Sequence, residues 1–217
     1  MNDHTTRHHG TGKPVEATAA PAPESLVPCP VMIERLATRR SPPLRSLGGP
    51  GPSAQELDLL LRLAIRTPDH GRLAPWRLII LEGEARAELG ARLDALYARQ
   101  NPEMAAGKSD MWQLYLMRAP LTVVLVSRPD RTAKVPEWNQ ALSAGAVGMA
   151  LTIAASALGF VSQWLLKWPG RDPEAAALLG VGPQEKVAGF LHIGRPTQTT
   201  PDRPRPDLAD VVSRWTP

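Results

Sequence analysis

Three consecutive polar residues, Arg39-Arg40-Ser41, place two guanidinium groups and a hydroxyl side by side. Guanidinium groups bind phosphate oxygens through paired hydrogen bonds, and a serine hydroxyl adds a further donor, so this tripeptide could hold a phosphate dianion. Basic residues near the end of a helix also stabilise the helix macrodipole, and taken alone the tripeptide fits that role at least as well. A second group of polar residues is needed to favour the phosphate interpretation.

Residues 66–76 provide that second group. Two arginines, an aspartate and a histidine (Arg66, Asp69, His70 and Arg72) stand close together in this segment. The segment separates a predicted helix from a predicted strand, and binding residues are concentrated in loops of this kind. His70 is either a donor to a bound ligand or a structural histidine bonded to Asp69 or to the backbone.

The elements that must position these residues follow from hydrophobic spacing. Ser53 and Glu56 form the pattern of a capping box ahead of a helix that must end before Pro68. Apolar periodicity predicts further helices over residues 31–39, 84–100, 139–160 and 172–180, and strands over residues 78–81, 121–126 and 187–193. Helices and strands do not alternate regularly, which indicates an α+β architecture.

Two stretches are less clearly defined. Residues 101–118 contain Trp112 and Tyr115, which either border a substrate opening or simply pack in the interior. The prolines after Arg195 predict an extended tail that could wrap around a neighbouring chain.

Residues 139–160 are rich in alanine and glycine and are apolar almost all round, which predicts a buried helix of a soluble protein. Small side chains form one stripe that would let another helix approach closely, as at the centre of a dimer: Gly145, Gly148 or Met149, Thr152 and Ser156.

Composition limits the classes of protein. The chain has 217 residues, 43% of them hydrophobic, enough for one folded domain, here predicted at residues 31–217. Residues 1–30 contain few large apolar side chains and are expected to be a disordered arm. The single cysteine excludes an intramolecular disulfide, and the first thirty residues show no signal-peptide pattern, so a cytoplasmic location is expected.

The net charge of +4 raises the question of a nucleic-acid partner. The arginines are scattered and aromatic residues make up only 5% of the chain, so a small anionic cofactor is the better explanation, and no nucleic acid, membrane or metal is expected. The sequence lacks a G-x-G-x-x-G fingerprint and a Gly-Lys-Ser/Thr phosphate loop. A nucleotide must therefore be bound by residues outside these two motifs.

The combination of these motifs resembles the compact single-domain subgroup of the nitroreductase family. The likeness runs in order from about Val31 to Trp215, and its pieces are Arg39-Arg40-Ser41, Thr67-Pro68-Asp69-His70, Pro75-Trp76, Lys134-Val135-Pro136-Glu137-Trp138, Ser143-Ala144-Gly145, Gly159-Phe160, Trp164 and Val187-Ala188-Gly189-Phe190-Leu191-His192-Ile193-Gly194. No single piece is specific, but the ordered combination is.

The resemblance implies a three-layer α+β fold, with a central, mostly antiparallel sheet flanked by helices. It also implies a homodimer with the long buried helix at the interface and FMN bound between the subunits. The residues expected to bind FMN are Arg39, Arg40 and Ser41 at the phosphate, Arg66 and His70 at the ring, Trp164 and Leu165 on the other side of the ring, and Gly194, Arg195 and either Arg203 or Arg205 as further contacts.

The activity implied by the resemblance is FMN-dependent reduction of nitroaromatics, quinones or similar electron-poor molecules by ping-pong hydride transfer from NADH or NADPH. The flavin carries the chemistry, and no side-chain nucleophile is required. Another flavin enzyme of the same fold, such as a dehalogenase, an enone reductase or a flavin-degrading enzyme, and a non-catalytic flavin-binding protein remain alternatives. Three departures from the family pattern leave substrate preference open: Leu165-Leu166 in place of Arg-Ser, Ala74 in place of Gln, and Pro43 in place of Lys.

Overall fold

The computed structural model describes residues 27–105 and 110–217, so most of the predicted arm lies outside the described residues. The helices are α1 (Pro30–Thr38), α2 (Ala54–Ala64), α3 (Ala85–Gln100), α4 (Pro102–Ala105), α5 (Met111–Met117), α6 (Glu137–Ala157), α7 (Pro173–Leu178) and α8 (Leu208–Val211). The strands are β1 (Leu47–Gly48), β2 (Trp76–Glu82), β3 (Leu121–Ser127), β4 (Val161–Leu165) and β5 (Lys186–Pro196).

The five strands form one sheet in the order β1-β5-β3-β2, and β4 also pairs with β5. All the pairings among the described strands are antiparallel. The long strand β5 pairs with β3 along most of its length, and its other pairings are with β4 and, at its C-terminal end, with β1. The register between β3 and β5 shifts next to Gly189, where Ala188 is an extra residue that forms a bulge.

Helices cover both faces of this sheet. Alternate residues of β3 point to opposite sides, so Val124 enters a core with α3, α5 and α7, whereas Val123 enters a core with α2 and α6. Burial on both faces explains why β3 is apolar except for Thr122 and the terminal Ser127. The predicted three-layer α+β fold is therefore confirmed.

The helix-start signals in the sequence act as predicted. The Ser53 hydroxyl accepts a hydrogen bond from the Glu56 backbone N–H, and the Glu56 carboxylate accepts one from the Ser53 N–H, which completes the capping box of α2. The Asp172 carboxylate likewise caps α7 through the Ala175 N–H.

Helix α6 is long and apolar enough to cross a membrane by length and composition alone, but half of that window is buried in the protein. It packs mainly on α2 and on β3, β4 and β5.

Several elements differ from the sequence prediction. Strands β1 and β4 were not predicted, because β1 is two residues long and β4 lacks a continuous apolar run. In the ambiguous stretch α5 buries Trp112 and Tyr115 in the core, so these side chains pack in the interior and do not border an opening. The tail is not extended throughout, since Asp207 caps the single helical turn of α8.

An aromatic group fills the core between the sheet and α3 and α5. Tyr115 makes edge-on contacts with Phe190, at 5.7 Å between ring centroids, and with His192, at 4.7 Å. Burial raises the pKa of the Tyr115 phenol. His192 is fully buried, its Nδ1 lies 2.9 Å from the Thr122 hydroxyl, and burial lowers its pKa to about 3.

The buried imidazole of His192 predicts a loss of stability in mild acid. The unfolded chain binds a proton near pH 6.5 and the folded chain does not do so until about pH 3, so the free energy of unfolding falls as the pH decreases between these values. Between pH 7 and pH 5 this amounts to about 2 kcal/mol. We expect His192→Gln to lose less stability over the same interval in urea titrations.

Between pH 7 and pH 5 the change in unfolding free energy caused by His192 can be separated from the change caused by the carboxylate of Glu185. Glu185 forms a bidentate ion pair with Arg77, and the Arg77 hydrogen bonds hold its pKa at about 2, so it remains ionised above pH 5. Equal losses of unfolding free energy in the wild-type protein and in His192→Gln would contradict the assignment to His192.

Candidate functional site

The tripeptide Arg39-Arg40-Ser41 follows directly on α1. Arg39 leaves helical geometry, with φ −56° and ψ 130°, and Pro42 and Pro43 keep the chain extended after it. The Arg39 guanidinium donates a hydrogen bond of 3.0 Å from Nη1 to the Ser41 Oγ, and one Arg40 nitrogen donates to the Thr38 carbonyl. All three residues of the tripeptide are half-buried.

The C-terminal tail of the same chain returns to this tripeptide. Arg203 donates from Nη2 to the Ser41 carbonyl oxygen at 3.2 Å. Asp202 forms ion pairs with Arg40, at 3.3 Å, and with Arg205, at 3.1 Å. The structure therefore brings both predicted tail arginines into the neighbourhood of the tripeptide. We call this group of Arg39, Arg40, Ser41, Asp202, Arg203 and Arg205 the arginine cluster; the sequence analysis did not identify Asp202.

The loop of residues 66–76 has a fixed and partly strained backbone. The Asp69 carboxylate accepts a hydrogen bond of 2.7 Å from the Ala74 N–H across the loop. Arg72 and Ala74 both adopt left-handed backbone conformations, with φ 54° and φ 46°. Such conformations cost non-glycine residues about 1–2 kcal/mol each, and they persist only where surrounding contacts enforce them.

Helix α6 supplies contacts that hold this loop in place. The buried hydroxyl of Ser143 donates to the Pro68 carbonyl at 2.9 Å and accepts from the Trp76 indole N–H at 3.2 Å. One turn earlier, the Asn139 amide donates to Nδ1 of His70 at 3.2 Å, which leaves Nε2 of a neutral ring as the protonated nitrogen. His70 is thus bonded to Asn139, not to Asp69.

The side chains of Arg66 and His70 are exposed. Both are therefore on the surface of a single chain, and His70 lies next to the first turn of α6. Asn139 and Ser143, which position the loop, are functional candidates that the sequence analysis did not identify, although Ser143 belonged to a recognised motif. Their spacing of four residues on a helix places them on one face, and this was the available signal.

The indole ring of Trp164 packs closely against two glycines, Gly148 of α6 and Gly189 of β5. A Cβ on Gly148 would be 2.3 Å from the indole ring, and one on Gly189 would be 2.0 Å from its Nε1, so larger residues cannot occupy either position with the ring in place. The indole N–H donates to the Ala188 carbonyl at 3.2 Å, at the bulge in β5. The ring remains 37% exposed. A partly exposed aromatic ring held rigidly in this way can serve as one wall of a planar binding site.

The remaining predicted residues have varied surroundings. Leu165 packs into the core on the opposite face of the sheet from Trp164, because successive strand residues alternate, so only its backbone could line the same side. Gly194 is buried, and a Cβ there would lie 2.7 Å from the Gly48 carbonyl oxygen. Arg195 stacks over Phe160 at 3.9 Å, donates to the Gly159 carbonyl and lies 4.0 Å from Glu56.

The predicted site residues of one chain are distributed along α6. His70 contacts its first turn at Asn139, and Trp164 contacts its middle at Gly148. Arg39 borders a cavity of about 250 Å³ that is also lined by Ser156, near the C-terminal end. At 1.5 Å per residue, Asn139 and Ser156 are about 25 Å apart along the helix. One chain by itself therefore does not bring His70 close to Arg39.

Comparisons with known proteins agree with this architecture. The model of the nitroreductase family matches residues 36–195. The Escherichia coli K12 protein named "Putative NAD(P)H nitroreductase YdjA" is 34% identical over 165 residues, which cover 76% of this chain and 87% of that protein. A Haemophilus influenzae protein with a corresponding name is 34% identical over 163 residues, or 73% of this chain and 85% of its own length.

Solved structures show the same fold. A nitroreductase-like family protein from Bacillus cereus aligns with a TM-score of 0.74 at 19% identity, over 85% of this chain and 95% of its own. A nitroreductase with bound FMN from Bacteroides fragilis aligns with a TM-score of 0.65 at 21% identity, over 85% of this chain and 98% of its own.

The contact of Ser143 with the loop generates a prediction. Ser143→Ala leaves the Pro68 carbonyl and the Trp76 N–H without this partner, which should lower the free energy of unfolding by about 1–3 kcal/mol. Because the lost bonds hold the loop, trypsin should also cleave faster after Arg66 and Arg72. Ser156→Ala on the same helix is the matched control and should change neither quantity appreciably. Unchanged cleavage in Ser143→Ala would show that the loop is held by other contacts.

Proposed function

The chain belongs to the nitroreductase family, and from this premise we propose that it is an FMN-dependent oxidoreductase that takes hydride from NADH or NADPH. The observation that carries the proposal is the arginine cluster, in which Arg39 and Arg203 donate to Ser41 while Arg40 and Arg205 share the single carboxylate of Asp202. An excess of cations of this kind suits a phosphate dianion.

The arginine cluster fits the FMN phosphate in chemistry as well as in charge. Arg39 and Arg40 are half-buried, so their attraction for an anion is less screened than that of fully exposed residues. Ser41 offers its hydroxyl, and Arg203 is already oriented towards the Ser41 backbone. These groups would bind the phosphate end of the cofactor and orient the rest of it.

The ring of FMN would be held by different residues. Trp164 offers a planar apolar wall, and Arg66 and His70 offer a cation and an N–H donor. A cation at the pyrimidine edge of a flavin stabilises the negative charge that reduction places there, so Arg66 would raise the reduction potential.

A homodimer would complete this site. We propose that a second copy packs on α6, where Trp138, Leu142 and Met149 are exposed, and on α1, which has no buried residue. Contiguous exposed apolar surface of this kind marks an interaction site in soluble proteins. Because His70 and Arg39 lie near opposite ends of α6, the second copy would supply one of these two residues to each site.

The chemistry in this proposal belongs to the cofactor. When bound, FMN would supply hydride transfer between the nicotinamide and a nitroaromatic, a quinone or a similar electron-poor acceptor. The protein binds and orients the reactants, and the arginines compensate negative charge. A separate nucleophile is not needed.

The first experiment is an absorption spectrum of the purified protein, recorded without oxygen before and after addition of NADH or NADPH. We expect a yellow protein, or one that becomes yellow with added FMN, and bleaching of the visible bands when the nicotinamide is added. Bleaching followed by reoxidation with a quinone or a nitroaromatic supports the ping-pong sequence. A colourless protein that takes up no FMN would overturn the proposal, and a coloured protein that never bleaches would indicate flavin binding without turnover.

A pair of variants tests the proposed phosphate contact. Arg39→Ala should raise the dissociation constant for FMN by about tenfold or more, because a charge-assisted hydrogen bond to the phosphate is lost. Arg99→Ala is the control, since Arg99 forms an exposed ion pair with Glu174 on the surface of α3. Fluorescence titration of the apoproteins with FMN measures both constants, and equal values in the two variants would refute the role of Arg39.

A further inference from the structure

Asp202 is the one acidic residue in the arginine cluster, and both of its carboxylate oxygens are engaged. Oδ2 lies 3.3 Å from Nη2 of Arg40, and Oδ1 lies 3.1 Å from Nη2 of Arg205. Oδ1 also accepts a hydrogen bond of 2.8 Å from the backbone N–H of Arg203. The carboxylate therefore bridges the tripeptide that follows α1 and the C-terminal tail, across more than 160 residues of sequence.

The donors that bind this carboxylate are those that a phosphate group uses. Guanidinium nitrogens and a backbone N–H are typical partners of phosphate oxygens. Asp202 occupies donors of Arg40 and Arg205 that the proposed phosphate would need. A phosphate bound beside the carboxylate would instead face a like charge within the same cluster, which disfavours binding.

We propose that Asp202 is an internal anion that competes with the phosphate of FMN for Arg40 and Arg205 and thereby sets the affinity of the site. This inference rests on the proposed FMN-binding function and adds a residue that determines ligand specificity. At neutral pH a phosphate monoester carries about −1.5 to −2 charges and the carboxylate carries only one, so a phosphate monoester displaces Asp202. A ligand without this group has no means of displacing it.

Because the tail is exposed, displacing Asp202 from its ion pairs costs little free energy. The side chains of Asp202 and Arg205 are 47% and 55% exposed, and ion pairs at such exposure contribute little to stability. The tail can therefore release the carboxylate without disturbing the sheet, while Arg203 keeps its separate contact with Ser41.

The test compares FMN with riboflavin, which lacks the phosphate. Asp202→Asn retains an oxygen that can accept from the Arg203 N–H but removes the negative charge. We expect its dissociation constant for FMN to fall about five- to tenfold, with that for riboflavin unchanged, in fluorescence titrations of the apoprotein. Asp202→Glu keeps the negative charge and should bind FMN with the dissociation constant of the wild-type protein. Asp210→Asn makes the same charge change elsewhere in the exposed tail and should have no effect.

The outcomes separate this inference from the proposed function. If wild type binds FMN and Asp202→Asn binds it equally or more weakly, Asp202 only assembles the cluster and the inference is wrong. If FMN and riboflavin gain affinity equally, the effect does not act through the phosphate and the inference is again wrong. If neither protein binds FMN, the proposed function fails, and the inference fails with it.

Discussion

The close approach of α6 to the sheet is the constraint on which the rest of the site depends. Gly148 allows the ring of Trp164 to lie against the helix, where a single methyl group would overlap it. The same helix anchors the loop of residues 66–76 through Asn139 and Ser143. Near its C-terminal end it borders the cavity beside Arg39. A shift of α6 would therefore displace the predicted ring-binding and phosphate-binding residues together.

Both sides of the sheet are packed by helices, but most of the predicted site residues lie on the side of α6. On one side, α3 and α5 cover the aromatic core, and burial there is so complete that His192 is held neutral well below its ordinary pKa. On the other side, α6 is only half covered. Strand β4 shows the division most directly, since Trp164 faces α6 and Leu165 faces the opposite core.

Several charged side chains of this fold are paired by contacts between segments that lie far apart in the sequence. The arginines that follow α1 are neutralised only in part, by Asp202 from the tail, so the cluster keeps an excess of positive charge. By contrast, Arg77 and Glu185 form a matched bidentate pair that joins β2 to the turn before β5. The Arg77–Glu185 pair therefore stabilises the fold, whereas the arginine cluster keeps positive charge that can attract an external anion.

The sequence by itself determined the helices with strong end signals, the three apolar strands and the α+β class, because helix caps, prolines and apolar periodicity act over a few residues. It also determined the family, because the motifs follow one another in order along the chain. It did not determine β4, the single turn of α8 or the interior position of Trp112, since these depend on what packs against them. Only the tertiary structure decided that Asp202 meets Arg40 and that Asn139 bonds His70. Such contacts join residues tens to more than a hundred positions apart, and no local pattern in the chain encodes their distance or direction.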